Sequence, residues 1–190
     1  MNRRIFIFSI LSLLYNLKSF ALNMKSEIFL YLNSNDFMDG KSNSVYDITS
    51  WKNQIFLCEF RRSRITVIDT KNKEILNNLH IPTPHGIYVT QTGKIYSVSM
   101  SNNEIYLFKK NFFGKYKLVK LSSNQKLVSP VSITYFKNNE SFYIANWGTN
   151  EHDEYYDIIS VDKKLNSYNP FYSEKDKKLL HYINVINSKL

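Results

Sequence analysis

The densest set of chemically capable side chains runs Asn146-Trp147-Gly148-Thr149-Asn150-Glu151-His152-Asp153-Glu154. Glu151, His152, Asp153 and Glu154 offer oxygen and nitrogen donors, the ligand types that suit a divalent cation. Their spacing departs from the Asp-x-Asp-x-Asp-Gly ladder of a calcium loop, so a solvated acidic loop is the competing reading. Trp147 can stack on a sugar or another flat ligand, or cap a core. His85, in Pro84-His85-Gly86-Ile87, is a second candidate, because an imidazole can ligate metal or act as a base. No orienting partner stands near it in sequence, and a satisfied structural histidine is the alternative. Cys58, between Leu57 and Glu59 in an apolar run, reads as a core residue. The chain carries no Gly-rich phosphate loop, no Gly-x-Ser-x-Gly and no His-Glu-x-x-His. The residues therefore assign no catalytic set.

The elements that must position these groups are short strands. Runs of β-branched and aromatic residues alternate with polar turns, and little of the chain shows a 3.6-residue period. The runs are Glu27–Leu32, Ile55–Phe60, Ile65–Asp69, Ile87–Thr90, Ile95–Met100, Ile105–Phe108, Tyr116–Leu121, Val131–Phe136, Phe142–Ala145 and Ile158–Asp162. Lys52-Asn53, Thr92-Gly93-Lys94, Ser101-Asn102-Asn103 and Lys137-Asn138-Asn139 are of the composition that turns tightly between strands. The pattern also repeats. Val45-Tyr46-Asp47-Ile48, Pro84-His85-Gly86-Ile87 and Pro130-Val131-Ser132-Ile133 superpose, and each is followed by a second and a third strand. The offsets from Ile48 to Ile87 and from Ile87 to Ile133 are 39 and 46 residues. A period near 40–45 residues with four strands per unit is that of a β-propeller blade. The fourth strand is visible at Glu74–Leu79 and Tyr116–Leu121, and is indistinct within Leu165–Tyr172. His85, with Tyr46 and Val131 superposed on it, then lies near one mouth of the central channel. The long loop beginning at Asn146 and Trp147 joins strands two and three of the third unit, where function tends to sit on a rigid scaffold.

Ile65-Thr66-Val67-Ile68-Asp69-Thr70, Ile81-Pro82-Thr83-Pro84-His85-Gly86-Ile87, Thr92-Gly93-Lys94-Ile95-Tyr96 and Phe142-Tyr143-Ile144-Ala145-Asn146 resemble the YVTN-type β-propeller repeat. NHL-type propellers and the streptogramin lyase group share the Pro-His-Gly-Ile segment. The resemblance covers roughly residues 45–162 and implies architecture, because its motif residues are mostly structural. It also implies that Pro-His-Gly is common in propellers without a catalytic role. In the lactonase and streptogramin lyase propellers, carboxylate and His residues surround a divalent metal in the channel. This chain offers no second channel His for such a site. The motif has its own physics. Pro84 fixes φ at the end of a connection. Gly86 lets the inner strand approach a crowded axis. Asp69 and Thr70 can bond backbone amides in the turn.

Residues 1–21, MNRRIFIFSILSLLYNLKSFA, have the layout of a secretory signal peptide: Arg3 and Arg4, an apolar run over Ile5–Leu14, then Ser19 and Ala21 at the cleavage site. The apolar run is shorter than a spanning helix needs, which argues against a membrane anchor. No cysteine follows it, which excludes a lipoprotein anchor. A secreted or periplasmic location follows, with no stable membrane span in the mature chain. Cleavage after Ala21 leaves 169 of the 190 residues and lowers the net charge from +9 to +6, since three basic residues and no acid are removed. The remaining Lys and Arg, including Arg61-Arg62-Ser63-Arg64, read as a solvated basic surface rather than a nucleic-acid site. One Cys excludes a disulfide framework and any multi-cysteine zinc site, and 5 Gly and 4 Pro exclude collagen-like sequence. Asn139-Glu140-Ser141 is a glycosylation sequon that matters in a eukaryotic host.

The expected architecture is all-β: a β-propeller-like array of about three to four four-stranded blades, complete or incomplete, with units near 45–80, 82–122 and 128–172 in a domain spanning 22–190. The length is short for a propeller. A fourth blade built from both flanks, a homo-oligomeric ring and a truncated remnant of a longer propeller are all consistent with it. The tail from Asp176 reads as a short helix or a strand. The expected function is binding of a protein or small ligand through His85, Tyr46, Asn146 and Trp147, with no cofactor. A divalent cation on Glu151, His152 and Asp153, within a lactonase-like or lyase-like enzyme, is the alternative.

Overall fold

The computed structural model describes residues 45–148 and 157–172, all within one compact unit. Twelve strands form three four-stranded antiparallel sheets, each a meander of consecutive strands. The first sheet holds β1 (Val45–Trp51), β2 (Gln54–Glu59), β3 (Arg64–Asp69) and β4 (Glu74–His80). The second holds β5 (Pro84–Val89), β6 (Ile95–Ser99), β7 (Glu104–Lys110) and β8 (Tyr116–Ser123). The third holds β9 (Pro130–Phe136), β10 (Ser141–Asn146), β11 (Ile158–Asp162) and β12 (Tyr168–Tyr172). The blades follow the sequence period, and the indistinct fourth strand of the last unit is β12. The expectations for residues 1–44, for the loop 149–156 and for the tail beyond 172 lie outside the described residues.

Turn chemistry explains the short connections. Lys52, Gly93 and Asn103 take positive φ values of 53°, 78° and 57°, the left-handed conformations that tight hairpins require. The Asp69 carboxylate accepts the amides of Lys71 at 2.7 Å and Asn72 at 3.1 Å, closing the β3–β4 turn. Asp162 does the same two units later, accepting the amides of Asn166 and Ser167 at 2.6 and 2.7 Å. The β2–β3 hairpin and the expected hairpin at Lys137–Asn139 each close through a single 3-10 turn, ending at left-handed Ser63 and Glu140.

Two apolar layers join the three blades. Phe56, Cys58, Ile65 and Val67 of the first blade pack with Ile87, Ile95, Tyr106 and Phe108 of the second. Tyr96, Val98, Ile105 and Leu107 pack with Ile133, Phe142, Ile144 and Ile159 of the third. The middle blade thus sends alternate residues to opposite neighbours: Ile105 and Leu107 one way, Tyr106 and Phe108 the other. This is why β6 and β7 read as continuous apolar runs rather than as alternating strands.

The innermost strands β1, β5 and β9 run parallel to one another. The Asp47 carboxylate accepts the Ile87 amide at 2.9 Å, and Trp51 Nε1 donates to the Gln91 carbonyl at 3.0 Å, both across 40 residues. Tyr88 packs on Tyr135 with ring centroids 5.9 Å apart. Parallel inner strands place the first and third turns of every blade at one end of the array. The second turns and the connections between blades share the opposite end. Gly86 sets the spacing: a Cβ there would lie 2.8 Å from Ser132 Cα and 3.0 Å from both the Ile133 nitrogen and the Val131 oxygen. Backbone atoms cannot yield as a flexible side chain does. Gly86→Ala should therefore destabilise the fold by about 2–3 kcal/mol. Gly114→Ala meets open space and only a positive φ, and should cost about 1 kcal/mol. Urea unfolding of the two variants checks this, and equal midpoints would contradict it.

Candidate functional site

The sequence-selected residues that the structure describes gather at the end of the array that carries the inter-blade connections. His85 opens β5 and is buried. Its Nδ1 lies 2.8 Å from the Val131 carbonyl of the next blade, and because a carbonyl only accepts, Nδ1 carries the proton. Tyr46, near the start of β1, lays its ring 4.4 Å from the imidazole and 4.8 Å from Phe60. Tyr46 remains 41% exposed, so it forms a lid of aromatic surface over a histidine that fastens β5 to β9.

Asn146 ends β10 and is fully buried. Its Oδ1 accepts the Val128 amide at 3.1 Å, and its Nδ2 donates to the Lys126 carbonyl at 2.8 Å. One side-chain amide thereby ties the connection between blades two and three to the end of a core strand. Trp147 follows, its amide donating to the Ser129 carbonyl at 3.0 Å, and its side chain is 37% exposed. His85, Asn146 and Trp147 thus converge on one segment, Val128–Val131. Glu151, His152 and Asp153 lie outside the described residues. Among the described residues, no group of three or more His, Cys, Asp or Glu side chains is placed to hold a metal ion.

The last residue of each second strand repeats this use of a polar side chain. Glu59, Ser99 and Asn146 occupy equivalent ends of β2, β6 and β10, and all three are buried. Ser99 donates to the Pro82 carbonyl at 2.6 Å. Glu59 pairs with the Arg64 guanidinium, accepts a 3.1 Å bond from Thr66, and faces Arg62 at 3.9 Å. The Arg62 side chain is 7% exposed. The expectation of a solvated basic surface therefore fails at Arg62 and Arg64, because a buried carboxylate draws them inward. Arg61 is exposed.

Two ionisable groups sit behind Tyr46. Burial first, and then the charge of Asp47, push the Cys58 thiol well above its ordinary range and favour the protonated form. Asp47 itself was not singled out by the sequence. Its signal was a carboxylate in the strand position held by Gly86 and Ser132 in the other two units. Burial pushes Asp47 up to about 6, while the Ile87 and Ile48 amides hold it down.

The three four-stranded sheets, joined through parallel inner strands, are blades of a β-propeller-type fold. No protein-family model and no curated protein matches the chain. Solved structures do. An inactive virginiamycin B lyase from Staphylococcus aureus, solved with quinupristin, superposes with a TM-score of 0.55 at 20% identity, over 71% of this chain and 43% of that one. A hydrazine synthase from Kuenenia stuttgartiensis superposes with a TM-score of 0.52 at 15% identity, over 63% of this chain and 33% of that one. A protein of unknown function from Bacteroides caccae gives 0.52 at 15% identity, over 62% and 45%. The likeness is one of fold, and the chain spans less than half the length of these structures.

The Asp47 carboxyl is raised above its ordinary 3.8, so the folded state favours the protonated acid. Its contribution to stability is complete below about pH 4 and is lost as pH rises through about 6. At about 1.4 kcal/mol per unit, the loss has a ceiling of about 3 kcal/mol. Asp47→Asn keeps an acceptor for the Ile87 amide and removes the charge. The variant should gain about 1–2 kcal/mol over the wild type at neutral pH and match it near pH 4. Urea midpoints at the two pH values test this, and a constant difference between the proteins would refute it.

Proposed function

We propose that this chain is an exported β-propeller-type module that binds a protein or small ligand through the surface around Tyr46 and Trp147, and that it is not an enzyme. One observation carries the reading. At this end of the array, His85, Glu59 and Asn146 are buried in bonds that fasten strands and blades, while the rings of Tyr46 and Trp147 present surface to solvent. Partly exposed aromatic rings on a rigid base are the usual anchors of recognition. Acid–base catalysis instead needs a titratable group aimed at a reacting atom. His85 and Asn146 then serve the binding surface as its supports, and Tyr46 and Trp147 as its contacts.

A lyase or lactonase reading draws on the shared fold, which hosts many chemistries. It would place a divalent cation on Glu151, His152 and Asp153. Screening the purified protein on peptide and glycan arrays should yield a ligand. Tyr46→Ala and Trp147→Ala should each weaken that binding about tenfold, with melting temperatures within a few degrees of wild type. Unchanged affinity in both variants would sink the proposed surface. A stoichiometric divalent ion retained after dialysis, together with opening of a lactone or streptogramin ring, would replace this reading with the enzymatic one.

Export is carried by the first 21 residues, with Arg3, Arg4 and the run Ile5–Leu14 as the signal. The product recovered outside the cytoplasm should begin at Leu22 on N-terminal sequencing. Recovery of a chain that still begins at Met1 would contradict cleavage.

A further inference from the structure

The opposite end of the array, formed by the first and third turns of the blades, carries a different feature. The β7–β8 turn projects Phe112 and Phe113, which are 98% and 82% exposed. Their rings meet edge to face with centroids 5.7 Å apart. Three hydrogen bonds close the turn beneath them. The Gly114 amide donates to the Asn111 carbonyl at 3.0 Å, and the Asn111 amide to the Lys115 carbonyl at 2.8 Å. The Lys115 amide donates to Asn111 Oδ1 at 2.9 Å, and Gly114 takes a φ of +75°. The two phenylalanines therefore stand at the centre of a rigid tip.

The fold does not need them there. The matching turns of the other blades expose no aromatic pair: Thr70-Lys71-Asn72-Lys73 in the first, and Lys163-Lys164-Leu165-Asn166-Ser167 in the third, whose Leu165 is buried in the core; both close on an aspartate instead. An aromatic pair kept in water without a packing reason points to an apolar destination outside the described residues.

The surroundings specify that destination. Residues 109–117, Lys-Lys-Asn-Phe-Phe-Gly-Lys-Tyr-Lys, contain four lysines and no acid. Lys109, Lys110, Lys115 and Lys117 are exposed around the base of the tip. Lys110 Nζ stands 5.0 Å above the rings of both Trp51 and Tyr116, and Lys52 Nζ 4.6 Å above Trp51. Cations are thus held in a collar one layer behind the phenylalanines. A convex apolar tip with a cationic collar has the order of a bilayer surface, acyl chains beneath and anionic headgroups above. A protein partner would need a deep acidic-rimmed pocket to match the same tip.

We propose that this end of the molecule docks on anionic lipid bilayers, with Phe112 and Phe113 inserted at the headgroup–acyl boundary and the lysine collar on the lipid phosphates. The attachment is peripheral: no helix among the described residues is long and apolar enough to cross a membrane. It is independent of the binding surface proposed at the other end.

The test uses the whole chain, with and without changes at the tip. Cys58 is buried, so a thiol-reactive environment-sensitive dye on Phe113→Cys labels the tip alone. Vesicles of phosphatidylcholine with about 30 mol% phosphatidylglycerol should shift the dye emission to the blue, and pure phosphatidylcholine vesicles should not. The F112S/F113S double variant should cosediment with the anionic vesicles at least about tenfold less than wild type. K109E/K115E should do the same, and high salt should release the wild type. Both variants change only exposed residues, in the turn and at the end of β7, and should melt with the wild type. Because residues 1–21 are themselves apolar, sedimentation without the dye shift counts against the proposal. So does F112S/F113S sedimentation equal to wild type, or equal binding to neutral vesicles.

Discussion

Everything in this molecule depends on sheets lying face to face at a spacing that only backbone contact can define. A four-stranded sheet cannot bury both of its faces alone. Here the solution is a neighbour on each side of the middle blade, reached through inner strands so close that Gly86 has no room for a methyl group against Ser132. A side chain adds a second close approach: the absent Cβ of Gly93 in the second blade would fall 2.6 Å from the indole of Trp51 in the first. With these approaches in place, the apolar residues of β6 and β7 have a partner on both faces, and the middle blade becomes a core strand system rather than a surface sheet.

Close packing of this kind leaves polar groups that must be satisfied. The chain satisfies them with side chains at recurring places. Asp47 reaches the Ile87 amide, His85 the Val131 carbonyl, and Glu59, Ser99 and Asn146 close the second strand of each blade. An unmet buried donor or acceptor costs about 1–3 kcal/mol, so each of these bonds matters more for what its loss would expose than for its own strength. Among the described residues that first suggest chemistry, His85 and Asn146 are therefore fastenings of the fold. Aromatic surface stays exposed at both ends: Tyr46 at the register shift of β1 and Trp147 just after β10 at one, Phe112 and Phe113 in the β7–β8 turn at the other.

Much of the fold was legible in the sequence. The repeat of Val45-Tyr46-Asp47-Ile48, Pro84-His85-Gly86-Ile87 and Pro130-Val131-Ser132-Ile133 marked the inner strand of each blade, because every blade solves the same packing problem with similar residues. Glycine and asparagine marked Gly93 and Asn103, because positive φ is a local demand. The strand Tyr168–Tyr172 was less distinct, because Asn169 and Pro170 weaken its β-character and its place comes from pairing with β11. The candidate site was legible in residue type more than in role. Nothing local to Arg61-Arg62-Ser63-Arg64 shows that Arg62 and Arg64 turn to a buried Glu59.

The sequence by itself determined the strands, the turns and the period, since these follow from side-chain alternation and backbone preference within a few residues. Tertiary structure alone decided that His85 meets Val131 across 46 residues, that Asp47 meets Ile87 across 40, and that Asn146 closes on Val128. It also decided that Phe112 and Phe113 stand in solvent while equally apolar neighbours do not. Burial and long-range pairing depend on which blade faces which, and no window of sequence shorter than two blades contains that information.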